Sequence, residues 1–179
     1  MKATLVASRL ARFRKPALIT LVAVLAACGK EAAQVAAVEP DQGTACALDG
    51  MVLKDYPGPK AQIHYKEGAS EFFCDLLELF GMLLAPEQKR PVAGVFVQDM
   101  GKTDWAQPSG QWIDAKSAYY VVGSKKTGSM GKTFGSFGTL PDAEAFAAKE
   151  GGAVKRFEQI TLDMVDQPMK GISHDDKMH

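Results

Sequence analysis

One succession of signals, strand, strand, helix, strand, runs along this chain twice, and few folds can absorb that order. In the first pass, Met51-Val52-Leu53-Lys54 opens as an extended run and Tyr56-Pro57-Gly58-Pro59 breaks it with a turn. Ala61-Gln62-Ile63-His64-Tyr65 resumes the extended pattern, so the two runs are expected to pair as a hairpin. Ser70 is placed to cap a helix on which Phe73, Leu76, Leu77, Phe80 and Leu84 recur at helical spacing. Pro86 stops that helix, and Pro91 to Met100, rich in Val and Phe, supplies a third strand.

The second pass starts with a strand inside Trp112–Gly123, centred on Tyr119-Tyr120-Val121-Val122. A glycine-rich loop over 123–132 leads to a second strand, Thr133–Gly138. Thr139 or Asp142 caps a helix whose first turn holds Pro141; Gly151-Gly152 ends it, and Ala153–Ile160 is the last strand. One helix over one small sheet is too little core to stand alone, so the halves should pack together. The expectation is an α+β fold of two tandem ββαβ modules, 46–105 and 106–166, with small mixed sheets each covered by one helix.

The segment before them reads as an address. Residues 1–28 carry five basic side chains and no acidic one, followed by an apolar run ending in Leu25-Ala26-Ala27-Cys28. A basic start, a short apolar stretch and small residues before a cleavage point make a secretory signal, here 1–27. Cys28 in that position resembles the lipobox of bacterial lipoproteins, where this Cys is lipidated. Gly29, with no Asp at that position, fits the outer-membrane pattern of such lipoproteins. Residues 28–45 then read as a flexible, lipid-anchored linker. Removing the five basic residues leaves 16 basic side chains against 21 acidic, a net charge of −5. That balance argues against nucleic acid as a partner and suits a cation.

With Cys28 spent on lipid, Cys46 and Cys74 remain in an oxidising compartment, where they either pair or serve as free thiols. Cys46-Ala47-Leu48-Asp49-Gly50-Met51 puts a thiol, a carboxylate and a thioether around a glycine turn. Thiolate and thioether are soft donors that favour Cu(I). No nucleophile elbow, phosphate loop, dinucleotide fingerprint or His-Glu-x-x-His helix occurs, so the chain does not read as an enzyme. The candidate metal ligands are Cys46, Met51 and Met130, the last in Gly128-Ser129-Met130-Gly131, with His64, Met100 and Cys74 as further candidates. His64 reads more readily as a paired histidine on a strand, and Cys74, between Phe73 and Leu77, as a core residue. Asp99 and Trp105 are read as exposed candidates for partner contact. Residues 167–179, with Met169, His174, Met178 and His179, are expected to be a disordered tail that could also capture copper.

Cys46-x-x-Asp49-Gly50-Met51 resembles the Cys-x-x-Cys/Asp-Gly-Met segment of the NosL family. The resemblance continues through Trp112-Ile113-Asp114-Ala115, Ala118-Tyr119-Tyr120-Val121-Val122-Gly123-Ser124, the Gly-Ser-Met130-Gly loop and the lipobox. It implies a membrane-anchored Cu(I) chaperone on the periplasmic side that serves assembly of the copper centres of nitrous oxide reductase. Its partners would then be that reductase and its copper-assembly membrane complex. It also implies two ββαβ modules, a fold related to that of an organomercurial lyase without the lyase activity. Asp49 stands where many members have a second Cys; a hard carboxylate is a poor Cu(I) ligand, so Asp49 is expected to orient Cys46 rather than bind. A monomer is expected, with a metal-linked dimer as the other arrangement. The competing reading is a lipoprotein interaction module with a structural Cys46–Cys74 disulfide. A thiol-based lyase using Cys46, Asp49 and Cys74 is a third.

Overall fold

The computed structural model describes residues 35–170, with side chains through 166. The signal segment, the lipobox with Cys28, and the tail residues His174, Met178 and His179 lie outside the described residues.

The first sheet contains β1 (Ala61–Tyr65), β2 (Glu71–Phe73), β3 (Val92–Gln98) and β4 (Trp112–Asp114), in the order β2-β1-β3-β4. Helix α1 (Leu76–Leu84) lies in sequence between β2 and β3. The second sheet is β8 (Gly135–Phe137), β5 (Tyr119–Val122) and β9 (Ala153–Arg156), in the order β8-β5-β9. Helix α2 (Leu140–Glu150) lies between β8 and β9. The hairpin β6 (Thr127–Gly128) and β7 (Gly131–Lys132) stands apart from both sheets. Helix α3 (Leu162–Lys170) closes the described chain. All pairings are antiparallel, so the mixed sheets expected from the sequence are corrected.

Several local expectations change for identifiable reasons. Met51–Lys54 forms no strand: Val52 makes only a bridge to Ala45, and Leu53–Asp55 is a 3-10 turn. The first helix starts at Leu76, capped by Asp75, not at Ser70. Glu71–Phe73 instead pairs with β1, and the Ser70 hydroxyl lies 3.1 Å from His64 Nδ1. Trp112–Asp114 pairs with β3, so the run to Gly123 is two strands in two sheets. The linker expected over 28–45 is docked from residue 35 onward. Val38 exchanges both backbone hydrogen bonds with the Gln62 side chain, and Trp112 Nε1 donates to Glu39 at 2.7 Å. Gln167–Lys170, assigned to the disordered tail, belong to α3.

The main core joins both halves of the chain. Leu76, Leu79 and Phe80 of α1 pack with Ile63 and Val97 of the first sheet and with Tyr120, Phe134, Ile160 and Val165. Phe80 is edge-on to Tyr120 at 5.1 Å and tilted against Phe134 and Phe157. Burial of each large apolar side chain contributes roughly 1.5–3 kcal/mol. A smaller cluster under α2 holds Met100, Val121, Phe137 and Ala143, with Trp105 stacked on Phe146 at its edge. Thr139 caps α2 as its sequence suggests, accepting the Asp142 N–H. The shared core sets α1 between the halves, which brings its first turn close to segments from both.

Candidate metal centre

Three short segments meet near the start of α1. The first is the loop 46–51, closed by its own backbone: Cys46 N–H donates to Met51 O at 2.8 Å and Gly50 N–H to Cys46 O at 3.1 Å. Gly50 has φ 76°, the left-handed region in which glycine carries no Cβ penalty. Asp49 Oδ1 accepts the Met51 N–H at 2.9 Å, and Ala47 N–H pins the loop to β2 through Phe72 O at 2.8 Å. The second segment is the β2–α1 junction, with Cys74 just before the cap residue Asp75 and Glu78 in the first turn of α1. The third is the Ser129-Met130 turn between β6 and β7.

One donor atom each from Cys46, Asp49, Cys74 and Glu78 lie within 4.8 Å of one another. Glu78 Oε2 accepts from Cys46 Sγ at 3.1 Å and from Cys74 Sγ at 3.3 Å. Cys74 Sγ also lies 3.1 Å from Ser129 Oγ and 3.9 Å from Asp49 Oδ2. Cys46 is 4% exposed and Cys74 fully buried, with Leu53, Met51 and Phe72 packed around them. Both are free thiols, so the Cys46–Cys74 disulfide considered from the sequence is not formed in this structure.

Burial is the main cause that raises both thiols above the ordinary thiol range. The backbone N–H groups of Leu48, Asp49 and Cys74 act the other way on Cys46, and the Ser129 hydroxyl does so on Cys74. Burial therefore favours protonated thiols here, with donors already aimed at the thiolates that a cation would create. Two metal–thiolate bonds of about 2.3 Å in line span about 4.6 Å, so one ion can bridge sulfurs at this spacing.

Charged side chains lie against the cluster. Lys60, 3% exposed, donates from Nζ to Pro57 O at 3.0 Å and to Cys74 O at 3.2 Å. Burial pushes its ammonium down to about 8, opposed by Cys74, Asp75 and Glu78. Burial likewise pushes the Asp75 carboxyl up to about 6, opposed by hydrogen bonds from Thr133 and Leu77.

The structure gathers some of the sequence candidates and separates others. Cys46 and Asp49 are in the cluster, and Met51 packs against it. Met130 is 58% exposed at the hairpin tip, beside the Ser129 that reaches Cys74. Met100 lies in the other cluster, under α2. His64 has both ring nitrogens engaged, Nε2 with Gln62 at 2.6 Å and Nδ1 with Ser70, and Phe96 against its ring. Neither joins the donor cluster. Asp99, taken as exposed, is fully buried and accepts the Gly138 N–H at 2.9 Å, while Trp105 is half-buried against Phe146. Cys74 is buried as expected of a core residue, yet its sulfur faces polar groups. Glu78 carries one signal in the sequence, the four-residue spacing from Cys74, which aligns the two across the start of a helix.

Two buried thiols and two carboxylates meeting at one point in a small antiparallel α+β domain are a donor set that suits a metal-handling protein. The NosL family model matches residues 37–165, and the chain belongs to the NosL family. It is 41% identical over 157 residues to the "Copper-binding lipoprotein NosL" of Stutzerimonas stutzeri, covering 83% of this chain and 82% of that protein. It is 37% identical over 168 residues to the protein of the same name from Achromobacter cycloclastes, covering 89% and 86%. Among solved structures, it is similar to the crystal structure of the copper chaperone NosL from Shewanella denitrificans, with TM-score 0.68 and 40% identity over 73% of this chain and 98% of that one. These relatives carry the names of copper-binding proteins, not of enzymes.

Proposed function

We propose that this chain is a lipid-anchored Cu(I) chaperone that carries the ion between Cys46 and Cys74. The observation behind this reading is the pair of free, buried thiols sharing one carboxylate oxygen, Glu78 Oε2. Two thiolates satisfy Cu(I), whose preference is for soft ligands in low number. Glu78 and Asp49 are hard donors; in this reading they hold the sulfurs in place and leave the copper to them. Met51, packed on the cluster, and Met130, on the hairpin tip, are the neutral thioethers that complete capture and release. An exposed thioether next to a buried dithiolate gives copper a stepping point toward an acceptor.

The lipobox at Cys28 supports attachment to the envelope, on the periplasmic side and at the outer membrane. The family resemblance supports nitrous oxide reductase and its copper-assembly membrane complex as the acceptors. Anaerobic titration of the mature protein with Cu(I), in competition with a chromophoric Cu(I) chelator, tests the first step. One equivalent held, with thiolate-to-copper absorption in the ultraviolet, is expected. Binding of Zn(II) in preference to Cu(I) would overturn the reading.

A further inference from the structure

The hairpin that carries Ser129 and Met130 has little of its own to hold it in position. Its ladder is two residue pairs, Thr127 with Lys132 and Gly128 with Gly131. A two-stranded ribbon this short is marginal in water, so contacts at its base must decide where its tip sits. Among the described residues, two hydrogen bonds do so. Trp105 Nε1 donates to Thr127 O at 2.9 Å on the exposed side. On the buried side, Thr133 Oγ1, immediately after β7, donates to Asp75 Oδ1 at 2.6 Å.

Asp75 is joined to the metal cluster by the chain itself, because it follows Cys74. The same Oδ1 accepts the Leu77 N–H at 2.9 Å and so caps the helix that bears Glu78. One buried oxygen thus fixes α1 on one side and the hairpin on the other. Asp75 is 1% and Thr133 2% exposed, so no water competes for this bond in the way it does at Trp105. The other arm of the hairpin is fitted to the same carboxylate. A Cβ on Gly128 would collide with Asp75 Oδ2 and crowd Thr133 Cγ2. Asp75 Oδ2 has no hydrogen-bond partner among the described residues. Among the described residues the carboxylate therefore packs against Gly128 but is hydrogen-bonded on this side through Thr133 alone.

We propose that the Asp75–Thr133 hydrogen bond is the latch that seats the Ser129-Met130 turn over the Cys74 thiol, which makes both residues positioning residues of the copper site. This rests on the copper reading above for its consequence, and on the geometry alone for the latch. Without it, Ser129 no longer meets Cys74 Sγ, and the exposed Met130 that follows Ser129 loses its fixed place.

The test uses Thr133→Val, which keeps the shape and removes the donor, and Thr133→Ser, which keeps the donor. Cys74 and Cys46 are alkylated in the metal-free mature protein and the rates read by mass spectrometry; Cu(I) affinity is read by chelator competition. A buried hydrogen bond of this kind is strong enough that Thr133→Val should raise the Cys74 rate about tenfold and weaken Cu(I) binding by a similar factor. Amide exchange over 127–132 should accelerate while that of α1 does not, and Thr133→Ser should restore all three. Equal acceleration at Cys46 and in α1, or no restoration by Thr133→Ser, would mark a general loosening and overturn the proposal. Cys74→Ser separates the two readings. If it loses copper while Thr133→Val behaves as the parent, the latch is wrong. If it keeps copper while Thr133→Val still exposes Cys74, the copper reading is wrong and the latch stands.

Discussion

Ser129 Oγ lies 3.1 Å from Cys74 Sγ, although 55 positions of chain separate them. The contact joins a hairpin turn of the second half to a strand–helix junction of the first. The core around Phe80 is common to both halves and packs them together.

Copper affinity should rise with pH. Both thiols are raised by burial, so in the metal-free protein they stay protonated through the neutral range. Binding then expels protons, and each proton released strengthens binding about tenfold per pH unit. The slope of log affinity between about pH 6 and 8 is therefore expected near two, one for each thiol. Chelator competition at several pH values measures it; a flat profile would mean that the thiols are not the ligands.

Asp75 should make the fold less stable as pH rises through the acid range. Its carboxyl is pushed up from 3.8 to about 6, by burial first of all. Between those values the folded state holds a proton that the unfolded chain has lost, so stability falls with rising pH and levels off above about 6. The whole effect is on the order of 2–3 kcal/mol. Urea unfolding of the parent and of Asp75→Asn should diverge in slope across this window, the variant lacking the decline. Identical slopes would remove Asp75 as the source.

Phe80→Ala should cost about 3–5 kcal/mol, as expected for a large ring lost from a packed core. Phe80 is 1% exposed and touches Tyr120, Phe134 and Phe157 of the second half. Because that core is shared, denaturant unfolding of the variant is expected to remain one transition. Two separated transitions would show that the halves fold independently.

The two methionines should behave differently when changed to Leu. Met130 is exposed, so Met130→Leu is expected to leave stability within about 0.5 kcal/mol while weakening Cu(I) retention. Met51 packs on the thiols, and Met51→Leu keeps its bulk but not its sulfur. Both are to be read by chelator competition beside thermal unfolding. Unchanged copper retention in both would leave the dithiolate as the whole site.

The second half was the more legible in sequence, because its helix carries local punctuation: Thr139 as cap, Pro141 in the first turn, Gly151 at the end. The first half misled where one pattern served two periods. Phe73 and Leu76 fit a helical stripe begun at Ser70, but pairing of Glu71–Phe73 with β1 wins and delays the helix to Asp75. Trp112–Asp114 reads as a strand, yet nothing in those residues says that β3 will be its partner. At the site, Cys46, Asp49 and Met51 were legible because they share one loop. Glu78 was not, since a lone acid in a first helical turn looks like a solvated charge until the loop folds back on it. Cys74 was discounted by its apolar neighbours, although only its sulfur mattered.

The most direct measurement is Cu(I) competition on Cys46→Ser and Cys74→Ser, alongside a thiol count on the metal-free parent. The account requires two free thiols in the mature domain and a large loss of Cu(I) affinity in each variant, with the thiolate-to-copper band diminished in both. Retention of parental affinity by Cys74→Ser, or absence of free thiols at Cys46 and Cys74 in the anaerobically prepared parent, would contradict it.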